Sequence, residues 1–135
     1  MPQAQSPESR IRNAESTAAN QKAPLKVALL GFGTVGASVA RILVERPELA
    51  NRLQLTHIFN RGVSRKRADW VPSSVLWTDS FADILSGRPD VVVEVVGGVT
   101  PAHEWVSKAI EQGVSVVTAN KMLLAVHGPE LLKAA

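Results

Sequence analysis

The run Leu25-Lys26-Val27-Ala28-Leu29-Leu30-Gly31-Phe32-Gly33-Thr34-Val35-Gly36 joins two patterns, an apolar segment of strand length and a glycine loop. Its first half has the composition of a central parallel strand covered on both faces. Beyond the loop, Val35, Val39, Ile42 and Leu43 recur at helical spacing over residues 34–44, and Pro47 marks the helix end. A GxGxxG pattern alone is a weak signal, because glycine is common. Between a strand and a helix each glycine has its own physical role. Gly31 makes the tight turn, Gly33 lets the backbone approach a pyrophosphate, and Gly36 lets the helix pack closely on the sheet. The helix N-terminus adds free N–H groups and partial positive charge. The plainer alternative is an ordinary strand-to-helix turn that needs glycine for its dihedral angles.

Downstream, Leu53-Gln54-Leu55-Thr56-His57-Ile58-Phe59 alternates as a strand does, and Asn60-Arg61-Gly62 follows as a loop, completing a βαβ unit. Residues 61–78 are basic and broken by Gly62 and Pro72, with a short strand at 75–77 and a short helix over 80–86. Asp90-Val91-Val92-Val93-Glu94-Val95-Val96 is the clearest strand and ends in Gly97-Gly98. Thr100 is placed to N-cap a helix with Pro101 at its first position, running to Gln112 with Gly113 as its stop. Residues 114–117 make another strand. Met122, Leu123, Leu124, Val126, Leu131 and Leu132 then form a helical pattern that Gly128-Pro129 is expected to split. Strands alternating with helices imply a parallel sheet with right-handed crossovers. The expectation is a single α/β domain over residues 24–135, a doubly wound parallel sheet of the Rossmann type.

Size and composition agree with one domain. The chain has 135 residues, 45% hydrophobic and 20% charged, the balance of a globular protein with a real core. Residues 1–23 hold Ile11 as their one large aliphatic side chain after the initiator Met and are expected to be a disordered tail. No cysteine is present, so disulfides and thiolate metal sites are ruled out, and a cytoplasmic location is expected. The apolar runs are far shorter than the roughly 20 residues of a membrane span, and no signal-peptide pattern opens the chain, so no membrane partner is expected. The net charge is +3 and aromatics make up 4%, which leaves few stacking platforms for nucleic acid despite the basic cluster Arg61, Arg65, Lys66 and Arg67.

Ligands of open α/β sheets bind outside the carboxyl ends of the strands. At the end of the second strand, where an acidic residue would bond the ribose of NAD, stand Asn60 and Arg61; no Asp or Glu lies between Gln54 and Ala68. A 2′-phosphate would be welcome there, so NADP is favoured with NAD as the alternative, and a merely solvated basic loop is the competing reading. Two further strand ends face the same way, Val96-Gly97-Gly98-Val99-Thr100 and Thr118-Ala119-Asn120-Lys121. Small residues at the first would let a nicotinamide ring lie against backbone. Lys121 at the second either projects a cation toward that ring or is simply exposed. His57, His103 and His127 are scattered without ligand spacing, so structural roles and no metal site are expected. Glu94, inside an apolar run, is expected near the strand mouth or paired.

Three blocks in this order, Gly31-Phe32-Gly33-Thr34-Val35-Gly36, Val92-Val93-Glu94-Val95-Val96-Gly97-Gly98 and Val117-Thr118-Ala119-Asn120-Lys121, followed by Leu123-Leu124-Ala125 and His127-Gly128, resemble homoserine dehydrogenase. The resemblance covers residues 25–135. It implies NADP-linked interconversion of L-aspartate 4-semialdehyde and L-homoserine, in threonine, methionine and isoleucine synthesis. The glycine loop and the strand ends make residues 31–36, Asn60, Arg61, Val96, Gly97, Gly98, Thr100 and Asn120 the expected cofactor contacts, and the resemblance makes Lys121 a cofactor contact and catalytic participant. The family's substrate-binding, catalytic and dimerising region is expected to lie outside these residues, so the small-molecule substrate and the homo-oligomer of the family belong to that region. The chain itself is then expected to bind cofactor without turnover. A rival reading from another class is a non-catalytic module that senses NADP through the same loop.

Overall fold

The computed structural model describes residues 22–62 and 67–135. Most of the expected tail, together with Arg65 and Lys66, lies outside the described residues. Five strands, β1 (Leu25–Leu30), β2 (Leu53–Phe59), β3 (Leu76–Thr78), β4 (Val91–Glu94) and β5 (Ser115–Thr118), form one sheet in the order β3-β2-β1-β4-β5. Every pairing is parallel. Four helices connect or follow them: α1 (Thr34–Glu45), α2 (Phe81–Ser86), α3 (Ala102–Glu111) and α4 (Lys121–Ala134). A short 3-10 turn at Pro47–Leu49 closes α1 off, as Pro47 predicts.

The alternation of β1 is read out on two faces. Ala28 and Leu30 join Phe59, Phe81, Ile84, Val92 and Ala109 on one side of the sheet. Leu29 joins Ala40, Leu55, Ile58, Val71 and Val75 on the other. Successive strand residues point to opposite faces, so this division follows directly from the period of two. Each fully buried Leu or Ile contributes roughly 1.5–3 kcal/mol relative to exposure. A third apolar cluster, Ala102, Val106, Leu123 and Leu131, fastens α3 to α4.

The strand order reverses at β1: after β2 and β3 extend the sheet on one side, the chain crosses back to place β4 on the other. Register makes this reversal useful. Leu30 stands opposite both Phe59 and Glu94, Phe59 opposite Thr78, and Glu94 opposite Thr118. The last residues of all five strands therefore form one row across the carboxyl edge, and the loops that leave them emerge side by side.

Three expectations need correction. Residues 90–96 do not all belong to β4; the Val95 N–H still bonds the Leu30 carbonyl, but the Val96 N–H turns to the Glu94 side chain and the ladder ends. Thr100 does not cap α3. That helix starts at Ala102 with Pro101 at the N-cap position and no side-chain cap, because the Val99 and Pro101 carbonyls already take the N–H groups of His103 and Trp105. Finally, α4 runs unbroken through Pro129. Leu123 and Leu131, on either side of the proline, are held in the same buried cluster, and that packing offsets a helix-interior proline cost of about 3 kcal/mol.

Candidate dinucleotide site

The glycine loop occupies the turn from β1 to α1 at the point of strand reversal. Gly31 has φ +107, a conformation that disfavours any side chain, and its N–H donates to the Phe59 carbonyl at 3.0 Å. A Cβ there would also stand 3.1 Å from the Val95 carbonyl oxygen, so the β1 and β4 loops touch at this glycine. A Cβ on Gly36 would collide with the Gly31 carbonyl, which makes that glycine a requirement of helix-to-loop packing. Gly33 is different: a Cβ there would meet nothing within 4 Å. Its absent side chain leaves open space above the loop and relieves no internal crowding.

That space lies over the start of α1. Gly33 is the N-cap, no side chain caps the helix, no acidic residue occupies its first turn, and the first backbone bond runs from the Ala37 N–H to the Gly33 carbonyl. The N–H groups of Thr34, Val35 and Gly36 therefore have no carbonyl of their own helix to reach. Thr34 and Val35 are exposed, Val35 to 55% although it is apolar. Phe32 turns its ring inward against Trp77, with centroids 4.8 Å apart, so only its backbone can face the open side.

On the β2 side, Asn60 is buried and its backbone N–H donates to the Thr78 carbonyl at 2.9 Å. Its side-chain Nδ2 is buried without a hydrogen-bond partner among the described residues. An orphaned buried donor costs roughly 1–3 kcal/mol and is worth keeping where a ligand supplies the acceptor. Arg61, beside it, is exposed.

On the β4 side, Glu94 is fully buried and organises the crevice wall. Its Oε2 accepts from the Thr118 hydroxyl at 2.6 Å. Its Oε1 accepts from the N–H groups of Val96 at 3.1 Å and Gly97 at 3.4 Å, and from the Asn120 amide at 3.4 Å. Gly97 and Gly98 follow with φ +80 and +73, both exposed with open space where a Cβ would be. Thr100 is exposed beyond them.

Asn120 completes the wall. Its Oδ1 accepts from the Leu123 N–H at 3.0 Å and so caps α4, while its Nδ2 donates to the Gly98 carbonyl at 2.5 Å. With Glu94 as the second acceptor, every side-chain bond of Asn120 is internal, and its contribution to a ligand site is to hold the backbone of its neighbours. Lys121 is the first residue of α4 and is exposed next to this anchor.

Sequence spacing missed two things. Asn120 carries a cap of the kind expected of Thr100; an Asn directly before a helical run is the available signal. His103 and His127, scattered along the chain, are brought together by the packing of α3 on α4, with ring centroids 3.7 Å apart. Their separation in sequence gives no sign of it.

A parallel sheet that reverses at a glycine loop, with an open helix N-terminus on one side and a small-residue wall on the other, defines a dinucleotide-binding domain of the Rossmann type. The family model described as "Homoserine dehydrogenase, NAD binding domain" matches residues 31–135. The chain belongs to the homoserine dehydrogenase family and corresponds to its NAD-binding domain. It is 45% identical to the homoserine dehydrogenase of Corynebacterium glutamicum over 114 residues, covering 81% of this chain and 25% of that protein. Against the Pseudomonas aeruginosa homoserine dehydrogenase it is 42% identical, covering 80% of this chain and 26% of that one. Among solved structures it is similar to S. aureus homoserine dehydrogenase at pH 8.5, with TM-score 0.75, 37% identity and coverage of 84% and 30%. The Thiobacillus denitrificans homoserine dehydrogenase matches with TM-score 0.73 and 34% identity, covering 83% of this chain and 27% of that one. The chain thus spans about a quarter of the length of the curated relatives it matches. Among the described residues, no helix is long and apolar enough to cross a membrane.

Proposed function

We propose that the chain binds NADP(H) across the crevice between β1 and β4, as the cofactor-holding part of an enzyme that interconverts L-aspartate 4-semialdehyde and L-homoserine. The observation that carries the reading is the open cradle at Gly33 over the uncapped start of α1, since Gly33, at φ −80, needs no glycine for its backbone angles and no internal neighbour crowds its Cβ position. Backbone N–H groups of residues 32–36 would hold the pyrophosphate. The orphaned Asn60 amide would meet the adenosine side, and Arg61 would take the 2′-phosphate in the absence of any neighbouring acid between Gln54 and Ala68. Val96, Gly97, Gly98 and Thr100 would form the wall for the nicotinamide end, with Asn120 as a positioning residue. When bound, the cofactor supplies or accepts hydride. Lys121 would stand beside the reacting carbon and hold or move the proton at the substrate oxygen, from a helix start that Asn120 fixes.

The reading belongs to threonine, methionine and isoleucine synthesis in the cytoplasm, with homo-oligomers as the expected working form. It is tested by calorimetric titration of the chain with NADP and NAD. Tighter binding of NADP is expected, and Arg61→Ala should narrow the gap by about tenfold or more, the worth of one charge-assisted contact. Equal affinities in the unsubstituted chain would refute the cofactor assignment. For Lys121, the chain alone is expected to show no turnover, and homoserine-dependent reduction of NADP after a family C-terminal domain is supplied in trans should fall by at least about 10²-fold in Lys121→Ala. Turnover that ignores the substitution would refute its role.

A further inference from the structure

We propose that His103, His127 and Glu130 form a binding site for a borderline transition-metal ion, Zn²⁺ or Co²⁺, that staples α3 to α4. His103 lies in the first turn of α3, and His127 and Glu130 lie one turn apart on α4. The imidazole rings stack with an interplanar angle of 12°. His103 Nε2 lies 3.1 Å from Glu130 Oε1, and His127 Nδ1 lies 3.2 Å from Glu130 Oε2. One ligand atom from each residue falls within 4.8 Å of the other two.

The two imidazole–carboxylate separations are close to those of a metal site. Ligand atoms about 2.0–2.2 Å from a tetrahedral ion stand roughly 3.3–3.5 Å from one another. The two imidazole–carboxylate separations, each to a different oxygen of Glu130, need to open by only a few tenths of an ångström, while the widest ligand-atom separation, up to 4.8 Å, closes by about 1.3 Å through a tilt of the stacked rings that aims both nitrogens at one point. Two imidazoles and one carboxylate form a donor set for Zn²⁺, Co²⁺, Ni²⁺ or Cu²⁺ and a poor one for Mg²⁺ or Ca²⁺, which take oxygen ligands. Three protein ligands leave a fourth position for water. Burial supports ligation at this place: the histidine side chains are 31% and 27% exposed, which limits their freedom, while Glu130 at 61% keeps a path open from solvent. No part of the dinucleotide site is used, although the staple would hold the helix that begins with Lys121.

The chain has three histidines, so His57, on β2, serves as the internal control. Tag-free protein is stripped with a chelator, dialysed and titrated with ZnCl₂ by calorimetry and with CoCl₂ by visible absorption. One equivalent per chain is expected, with the intense visible bands of a tetrahedral or five-coordinate Co²⁺ ion. Affinity should be unchanged in His57→Gln and fall by about tenfold or more in each of His103→Ala, His127→Ala and Glu130→Gln. Glu130 is exposed, so Glu130→Gln keeps the fold and leaves the test decisive even if a histidine variant is unstable. Absence of saturable binding would overturn the proposal, as would binding that survives Glu130→Gln undiminished or is lost equally in His57→Gln.

Discussion

Replacing Glu94 by alanine should be among the most damaging single changes in this domain, and the reason can be counted. The carboxyl group is fully buried and accepts two firm hydrogen bonds, at 2.6 Å from the Thr118 hydroxyl and 3.1 Å from the Val96 N–H, along with two weaker ones at 3.4 Å. A buried donor stripped of its acceptor costs roughly 1–3 kcal/mol. Two firm donors set the loss at about 2–6 kcal/mol, and a water entering the vacated space brings the expected value toward about 2–5 kcal/mol. Whole domains are stable by about 5–15 kcal/mol, so the variant should be marginal. Glu94→Gln is the informative companion. It keeps an oxygen for Val96, Gly97 and Asn120 but sets an amide against the Thr118 hydroxyl, which already accepts from the Asn120 N–H at 3.0 Å. Only one bond is reversed, so about 1–2 kcal/mol is expected. Urea unfolding followed by tryptophan fluorescence measures both, since Trp105 packs on Phe59 and Phe81 beneath the carboxyl edge. Stability of Glu94→Ala within about 1 kcal/mol of the parent chain would show that the network is incidental and refute this account.

Two glycines should part company. Gly33→Val should leave circular dichroism unchanged and abolish dinucleotide binding, because its side chain enters space that only a ligand would fill; retained affinity would reduce the loop to a turn. Gly36→Ala should instead cost about 1–3 kcal/mol in folding stability, because its methyl meets the Gly31 carbonyl, and a variant as stable as the parent would contradict that contact. The His57 imidazole is held below its ordinary pKa chiefly by burial, which the nearby Asp83 opposes and Lys26 reinforces. The unfolded chain therefore takes up this proton first, so His57 should lower stability as the pH falls from about 6.5 through its folded value. Unfolding midpoints measured across that range should lose this slope in His57→Gln, and an unchanged slope would locate the effect elsewhere.

The elements are readable because their signals are local. An apolar run ending at a glycine gives β1 to the residue, and a period-two alternation gives β2. Whatever depends on distant packing is not readable. Pro129 ends a helix by local rules, yet Leu123 and Leu131 anchor both halves of α4 to the same cluster. Glu94 looks anomalous in an apolar strand because its partners, Thr118 and Asn120, come from the neighbouring strand and helix. The meeting of His103 and His127 likewise exists only once α3 has docked on α4. At the candidate site, the glycines announce themselves, whereas the Asn60 amide, unpartnered among the described residues, becomes visible only once the surrounding strands are in place.

The Asn120 side chain ties the Gly98 carbonyl, the Glu94 carboxyl and the start of α4 into one unit. A wall tied in this way is ordered before anything binds, so a ligand resting on it forfeits little conformational entropy there. Arg61, a long exposed side chain, has no such anchor among the described residues and would give up rotamer freedom of about 1.5–2 kcal/mol in engaging the proposed phosphate. With the cofactor lying as proposed, the two ends of the crevice would divide the labour: the nicotinamide end would be a rigid template that sets orientation, and the adenosine end an adaptable grip whose strength can be tuned without disturbing the geometry of the other.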